Sequence, residues 1–459
     1  MMQGAKETVL DAVGATPLVR LHRVVPSDLG VSLYAKCEWL NPSGSVKDRV
    51  ALALIRRAEA EGRLRPGGTV VEATAGNAGA ALAMAAAVLG YRCVCVMPDK
   101  TSPERVAAPR AYGARVVLCP TVEEPDDPRG HYATARRIAE ETPGAALMGQ
   151  HDSPANAEAH ARSLGAELWA QTGGEVDAVV GGMNTGGALT GAGRHLKSLK
   201  PAVQVVAVDP VGSVFYDRVK HGRATRPFAH RVEGIGADFV APAADLGALD
   251  ECVRVDDREC FLATRELARV EGILCGAAGG AAVAGAVKWA RAAGAKGNVV
   301  VLIPDGASGQ LGTVFNDAWM RENGYAGDDA GLGTVREVLA QRPQSLVTAR
   351  PEDSVRAVIQ RMKASGVSQV PVVEGERLLG IVGEVDVLRA LVSGEAHLDA
   401  AVSAIVDADY ATVTPDTRVD LLQSVLAEAK VVLVTEGSRL QGLVSKIDLI
   451  EYLARRAAG

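Results

Sequence analysis

The chain has 459 residues, 48% of them hydrophobic and 23% charged, with a formal net charge of -6. That length is too great for one ordinary core, so two or three domains are expected. The mildly acidic balance gives no support to a nucleic-acid or polybasic membrane-surface role.

In chain order, "MMQGAKETVLDAVGATPLVRL" at the N-terminus has no signal-peptide apolar region. "NPSGSVKDR", residues 41–49, is the first unusual segment. Its turn-rich run of Pro42, Ser43, Gly44 and Ser45 leads into Lys47, Asp48 and Arg49, with Val50, Ala53 and Leu54 following at helical spacing. Lys47 is therefore expected in the first turn of a buried helix. The longest apolar run, from Ala78 to Gly90, is too short and too alanine-rich to cross a bilayer and reads as a buried helix. The cytosol is the expected location.

Strands are expected at "GTVVEAT", "CVCVMP", "ARVVLCP", "VDAVVGG", "VQVVAVDP" and "NVVVLIPDG", with Ala-rich amphipathic helices between them. Near-continuous apolar strands alternating with helices imply an α/β region whose parallel sheets are covered on both faces. Several strands run directly into Gly-rich turns, the usual place for ligand sites in such sheets. The seven cysteines are scattered, and Cys93 and Cys95 lie on one face of a strand. No further ligands stand nearby, so buried free thiols are expected and no metal site.

Residues 321–333 are polar and rich in Gly and Asp, the composition of a linker. Beyond it the chain repeats. Val372 to Leu388 matches Val434 to Ile450, and the Gly380/Gly442 and Asp386/Asp448 pairs are each 62 residues apart. Each unit reads strand, turn, strand, then a helix beginning near the aspartate. Each needs its twin to cover an exposed face.

A lysine in a first helical turn feels the positive end of the helix dipole and partial removal from water, and both favour the neutral, nucleophilic amine. The alternative is a surface lysine paired with Asp48. Two Gly-rich segments bear on the choice. "EATAGNAGAALA" places Gly76, Asn77 and Gly79 after a strand. "GGMNTGGALTG" places Thr185, Gly186, Gly187 and Ala188 where successive backbone N–H groups would cradle an anion at a helix start. A nucleotide loop is the competing possibility, but neither usual nucleotide fingerprint is present. A reactive lysine beside a phosphate cradle points to pyridoxal phosphate (PLP).

On "NPSGSVKDR", "GATPLVRL", "QHDSPANAEAH", "VEGIGADF" and "FNDAWM", residues 6–320 resemble the fold-type II PLP enzymes of the cystathionine β-synthase and cysteine synthase group. The repeat resembles a tandem pair of CBS domains, a Bateman module. The resemblance implies a tryptophan synthase β-like catalytic region of two subdomains at 1–320, a linker at 321–333, and CBS domains at 334–395 and 396–459. By the same resemblance Lys47 carries PLP and removes the substrate α-proton. Asn77 meets the ring hydroxyl, and Gly182 with Thr185, Gly186, Gly187 and Ala188 holds the phosphate. Thr74, Ala75, Gly76 and Gln150 receive the substrate carboxylate, with His151 and Gly234 beside them. Serine or an activated serine would lose its β-substituent, and a thiol such as homocysteine would add.

Several positions depart from the family pattern. Asn184 replaces a glycine of the phosphate loop, and Ala188 removes a hydroxyl. Ala78 replaces the threonine after the asparagine, and Ala75 stands where cysteine synthases have a serine. His151 replaces an aromatic residue; it could titrate near neutrality and act on the nucleophile, or simply fill the same wall. Gly306 stands where a serine usually meets the pyridine nitrogen, and Ser308, two residues on, is the candidate replacement. Gly276, Ala277, Ala278 and Gly279 lack the usual hydroxyls. No counterpart of the haem ligands of animal enzymes is present, so no haem is expected.

CBS pairs typically bind adenosyl ligands. Ser445 and Asp448 fit the usual Ser/Thr-x-x-Asp spacing, whereas Asp386 is preceded by Gly383, so at most one competent site is expected. Helix capping by both aspartates is the rival explanation. The functional expectation is β-replacement of the cystathionine β-synthase kind. The alternatives are cysteine synthesis from an activated serine and sulfide, β-replacement with an unusual nucleophile, and a PLP- or adenosyl-binding regulator with a decayed site. A homo-oligomer is expected by resemblance.

Overall fold

The computed structural model describes residues 4–122, 127–326, 332–341, 346–375, 377–394, 397–407, 410–429, 431–436 and 439–458. The chain divides into two units. One comprises Met1–Pro210 with Arg231–Ala326; the other comprises Val211–His230 with Gly327–Gly459.

The first unit holds two sheets. The larger runs in the order Leu18–Arg20, Val31–Cys37, Gly297–Ile303, Val176–Gly182, Gln204–Pro210 and Glu251–Val255. Only Leu18–Arg20 pairs antiparallel; the other pairings are parallel. The smaller sheet, all parallel, runs Arg115–Cys119, Arg92–Pro98, Thr69–Ala73 and Ala145–Leu147. Strands such as Gln204–Pro210 are buried after their first residue because helices cover both faces. The helix Ala277–Ala293 packs into the core of the larger sheet, and Lys47–Ala60 and Asn77–Leu89 into that of the smaller. Asn77–Leu89 is the apolar run of the sequence. Its side chains from Ala78 to Ala86 are buried, and Gly90 closes it with a φ of 77°.

Four strands escape the sequence pattern, among them Val31–Cys37. This strand carries Lys36, which is 0% exposed. Its amine donates to Thr16 O at 2.7 Å, Glu167 at 2.8 Å and Gln171 at 2.9 Å. Arg49 bonds Glu38 at 2.7 Å and Glu167 at 2.7 Å. Two buried cations and two carboxylates thus tie the start of the Lys47–Ala60 helix to this strand. Removing one member would strand the charge of another, typically at a cost of about 3–5 kcal/mol.

The second unit is built on one five-stranded sheet, ordered Gln369–Glu374, Arg377–Gly383, Arg439–Ser445, Val431–Glu436 and Ala411–Val413. The repeat appears as two antiparallel pairs that share a defect. Register shifts between Val372 and Val373 in one pair and between Val434 and Thr435 in the other. The repeated glycines have a common cause. A Cβ on Gly380 would lie 2.3 Å from Val406 Cγ1, and one on Gly442 would lie 2.7 Å from Leu339 Cδ2. Gly437, the counterpart of Gly375, lies outside the described residues.

Packing cuts across the boundaries suggested by sequence. The helix Asp317–Glu322 runs through position 320, and residues up to Ala326 belong to the first unit. Residues 327–331 of the expected linker lie outside the described residues. Val335 and Val338 of the helix Val335–Ala340 join the core of the second repeat, and Val402 joins that of the first. Val211–His230 was expected within the catalytic region, yet it groups with the C-terminal unit. Val211 and Phe228 pack into the second repeat's core. Thr412 Oγ1 donates to buried Asp217 at 2.7 Å, and Arg223 pairs with the same carboxylate at 2.8 Å. Among the described residues, no helix is long and apolar enough to cross a membrane.

Candidate active site

Lys47 is the first residue of its helix, and its position is set by the turn before it. Val46 N donates to Pro304 O at 2.8 Å, and Gly306 N to Gly44 O at 3.3 Å. Asp48 does not pair with Lys47. It is buried and accepts from Ser43 N at 2.8 Å, closing the turn. The Lys47 amine points towards the second Gly-rich loop, 3.5 Å from Thr185 Oγ1. Burial pushes the amine down to about 8, against the opposing charges of Glu72 and Asp305.

Asn156 joins the parts of this cluster. Its Nδ2 donates to Thr185 Oγ1 at 2.9 Å and to Gln150 O at 2.9 Å. Glu72 supports the same loop from below, accepting from Gly149 N at 2.8 Å and from Gln150 N at 3.4 Å. Burial raises its carboxyl to about 7, opposed by those N–H donors and by Lys47.

The second Gly-rich turn reaches Lys47 through Thr185, and the first reaches Asp305 through Asn77. Thr74 is buried, and its hydroxyl accepts from Gly76 N at 3.2 Å; Ala75 is exposed. Asn77 begins the following helix and donates to Asp305 Oδ2 at 2.7 Å. In the other turn, Gly186 has a φ of 78° and precedes the helix Gly187–Leu199, whose first N–H groups, with that of Ala188, have no partner within the helix. A Cβ on Gly182 would lie 2.1 Å from Ile235 Cγ2, and one on Gly186 would lie 2.5 Å from Ala244 Cβ. Asn184, in place of a glycine, has a clear use. Its Nδ2 donates to Gly236 O at 2.8 Å and fastens this loop to "VEGIGADF".

His151 sits in an aromatic group rather than among proton donors. Its ring centroid lies 5.6 Å from Tyr132 and 5.7 Å from Phe239, and Tyr132 lies 4.1 Å from His131. Burial, followed by the charges of Lys47 and His131, pushes His151 down to about 4. Desolvation outweighs the ordinary value, which favours the wall-filling alternative over titration near neutrality. Ser308 is the candidate replacement for the missing serine. It is exposed on the short turn Ala307–Gly309, while Gly306 has no side chain to offer.

Sequence reasoning missed Glu72, Arg105, Asn156 and Asp305. Arg105 pairs with Glu233 at 2.8 Å and lies 3.9 Å from Asp305 Oδ2. A Cβ on Gly76 would lie 2.2 Å from its Nη1, so the guanidinium lies over the carboxylate loop. Gly234, with a φ of 93°, faces Asp305 Oδ2 at 3.3 Å from its would-be Cβ.

These residues fit PLP. A half-buried amine of lowered pKa suits its aldehyde, and the glycine cradle at a helix start suits its phosphate. Gln150 Oε1 and Asp305 Oδ1 are buried polar atoms without partners. All seven cysteines are buried and free, and among the described residues no acid, His and Cys cluster could hold a metal.

In the second unit, Asp386 accepts from Gly383 N at 2.8 Å and Asp448 from Ser445 N at 2.9 Å. Both aspartates therefore close a helix start, as the capping explanation requires. Asp448 also lines a cavity of about 130 Å³ with Leu339, Gly442, Tyr452 and Arg455.

Comparison with known proteins agrees with this chemistry. Residues 9–305 match the family described as pyridoxal-phosphate dependent enzyme, and residues 335–393 match the CBS domain. Cystathionine beta-synthase of Apis mellifera is 40% identical over 319 residues, which cover 69% of this chain and 63% of that protein. That of Dictyostelium discoideum is 32% identical over 98% of this chain and 92% of its own length. The structure of an O-ureido-L-serine synthase, 37% identical, aligns with a TM-score of 0.62 over 69% of this chain and 99% of that one. The chain belongs to the pyridoxal-phosphate dependent enzymes, in the family that includes the cystathionine beta-synthases, and it carries a C-terminal CBS domain.

Proposed function

We propose that the chain catalyses PLP-dependent β-replacement on L-serine or an activated serine, foremost the joining of serine and homocysteine into cystathionine. One observation supports this: the lowered amine of Lys47 lies beside Thr185, which Asn156 ties to Gln150. The relatives named cystathionine beta-synthase support the same chemistry.

PLP, when bound, supplies the electron sink that lets an α-proton and a β-substituent leave. Lys47 Nζ takes that α-proton, its lowered pKa keeping a useful neutral fraction near pH 8. Thr185 to Ala188 hold the phosphate through backbone N–H groups and the helix dipole. Asn77 holds the ring hydroxyl, and Thr74, Gly76 and Gln150 orient the substrate carboxylate. Tyr132, His151 and Phe239 form an aromatic wall next to the Gln150 loop.

A second reading keeps the reaction type and changes the substrates to an activated serine and a different nucleophile. The structural likeness to an O-ureido-L-serine synthase, over nearly that whole chain, favours it. The rest of the proposal is a cytoplasmic homo-oligomer without haem, with an adenosyl ligand at the Asp448 cavity. The domain limits proposed are 1–320, 334–395 and 396–459, with Val211–His230 folding alongside the last two.

The test is an absorbance spectrum of the purified protein before and after L-serine, followed by product analysis with homocysteine, sulfide and other nucleophiles. A visible band that serine changes, with cystathionine as product, is the expected result. A band that only an activated serine changes selects the second reading. A bound cofactor with no turnover under any pairing would replace both with a regulator.

A further inference from the structure

The chain passes between its two units three times: after Pro210, before Arg231 and after Ala326. In the first unit those three points lie together. Pro210 pairs with Val255 on the neighbouring strand. Two residues later, Asp257 opens the helix Asp257–Glu266 and is 4% exposed. Its Oδ1 accepts from Arg231 N at 3.0 Å and from Val232 N at 3.2 Å, and its Oδ2 from the Tyr325 hydroxyl at 3.4 Å. The Arg231 side chain closes the same group: it bonds Asn323 and lies 5.9 Å from the centre of the Trp319 ring, on which Tyr325 stacks. Capping does not account for this acid, because Asp256 already caps the helix in a reciprocal pair with Glu259. A carboxylate buried beside two backbone donors is a fastening that costs much to leave unmade.

Residues 231–236 then run straight to the Gly-rich loop. Glu233 pairs with Arg105 at 2.8 Å. Gly236 N donates to Met183 O at 2.6 Å, and Gly236 O accepts from Asn184 Nδ2 at 2.8 Å. Only residues 233–235 separate Val232, held by Asp257, from Gly236, held by the loop, so a shift at one end has few torsions in which to fade.

We propose that residues 231–236 are a strap that couples the C-terminal unit to the Gly-rich loop, with Asp257 as its anchor and Asn184 as the positioning residue at its far end; the inference rests on the PLP reading of that loop. While Arg231 is seated on Asp257, Gly236 holds Met183 and Asn184, and the N–H groups from Thr185 to Ala188 keep their aim. A displacement of Val211–His230, or of the chain after Ala326, draws on Arg231 or Tyr325 and so on the same carboxylate. Both connections therefore act as one. Asn184 gains a reason under this assignment, since a glycine there would leave the strap without its side-chain tie.

Hydrogen exchange of the full chain, read by mass spectrometry before and after PLP, tests the strap without any substitution. PLP is expected to slow exchange not only in residues 182–188 but also in 231–236 and around Asp257 and Tyr325. Protection that stops short of Asp257 and Tyr325 overturns the proposal. Three variants separate the parts: Asn184→Gly at the loop, Asp257→Ala at the anchor, and Thr412→Val, which breaks the bond to Asp217 in the C-terminal unit. Each is expected to weaken PLP binding about 3- to 30-fold and to shift the ³¹P resonance of the bound phosphate. D257A added to N184G is expected to change little more, because the strap is already cut. Full additivity overturns the proposal and leaves the two residues as separate supports. Wild-type affinity in T412V overturns the link to the C-terminal unit. If D257A does not fold, the exchange pattern of the wild type still decides. A chain that binds no PLP at all overturns the parent reading together with this one.

Discussion

A Cβ on Gly187 would lie 2.0 Å from Asn156 Oδ1, so the two residues meet at a distance that only glycine permits. Asn156 is also the residue that joins Thr185 to Gln150. Gly187→Ala is therefore expected to push Asn156 away and break both bonds. PLP affinity should fall at least ~10-fold, and the fold should lose about 1–3 kcal/mol. Cofactor titration and thermal melting measure the two effects. Wild-type affinity in the variant would show that the cradle does not depend on this contact.

His151 is held neutral by burial, with its pKa pushed down to about 4. It carries no charge that changes between pH 5 and 8. The pH profile of kcat/KM for His151→Phe should keep the wild-type shape in that window, while its amplitude changes. Loss of a limb near pH 6 in the variant would restore His151 as a proton carrier.

Burial raises the Glu72 carboxyl from the ordinary 4.5 to about 7. Folding therefore takes up a proton between these values. The resulting stabilisation is complete below about pH 4.5 and is lost as pH rises through about 7. Glu72→Gln removes this dependence. Wild-type stability relative to E72Q should fall by up to ~3 kcal/mol across that window. Urea unfolding of the apoprotein at four or five pH values would reveal it, and parallel curves would disprove it.

Arg105 places its guanidinium over Gly76, in the loop assigned to the substrate carboxylate. Arg105→Gln should raise the KM of the amino-acid substrate about 10-fold, the cost of one charge-assisted hydrogen bond, with a smaller change in kcat. A drop in kcat at constant KM would instead place Arg105 at the reacting atoms.

The part of the fold legible in sequence is the part made of apolar strands buried on both faces. "VDAVVGG" declares itself without help from distant residues. "VSLYAKC" does not, because Lys36 argues against burial until Glu167 and Gln171, 131 and 135 residues further on, close over it. The same limit applies at the site. Lys47 and the two Gly-rich turns carry local signatures of backbone geometry. Asn156, Glu72 and Arg105 acquire meaning only when loops cross. Asp305 is the one carboxylate in "IPDGASGQL", but only the fold shows that it is buried and bonded to Asn77.

Val211–His230 also has a consequence for how the chain is made. Asp217 and Thr412 bond at 2.7 Å although they are 195 residues apart. At about 5–20 residues per second, synthesis of that interval takes roughly 10–40 seconds. During it Val211 and Phe228 have no core to enter, and Asp217 has Arg223 without Thr412. A shortened chain that stops at the linker would stay in that condition permanently. The C-terminal region thus completes a segment from the middle of the chain, and a gene truncated before it would encode an unfinished protein.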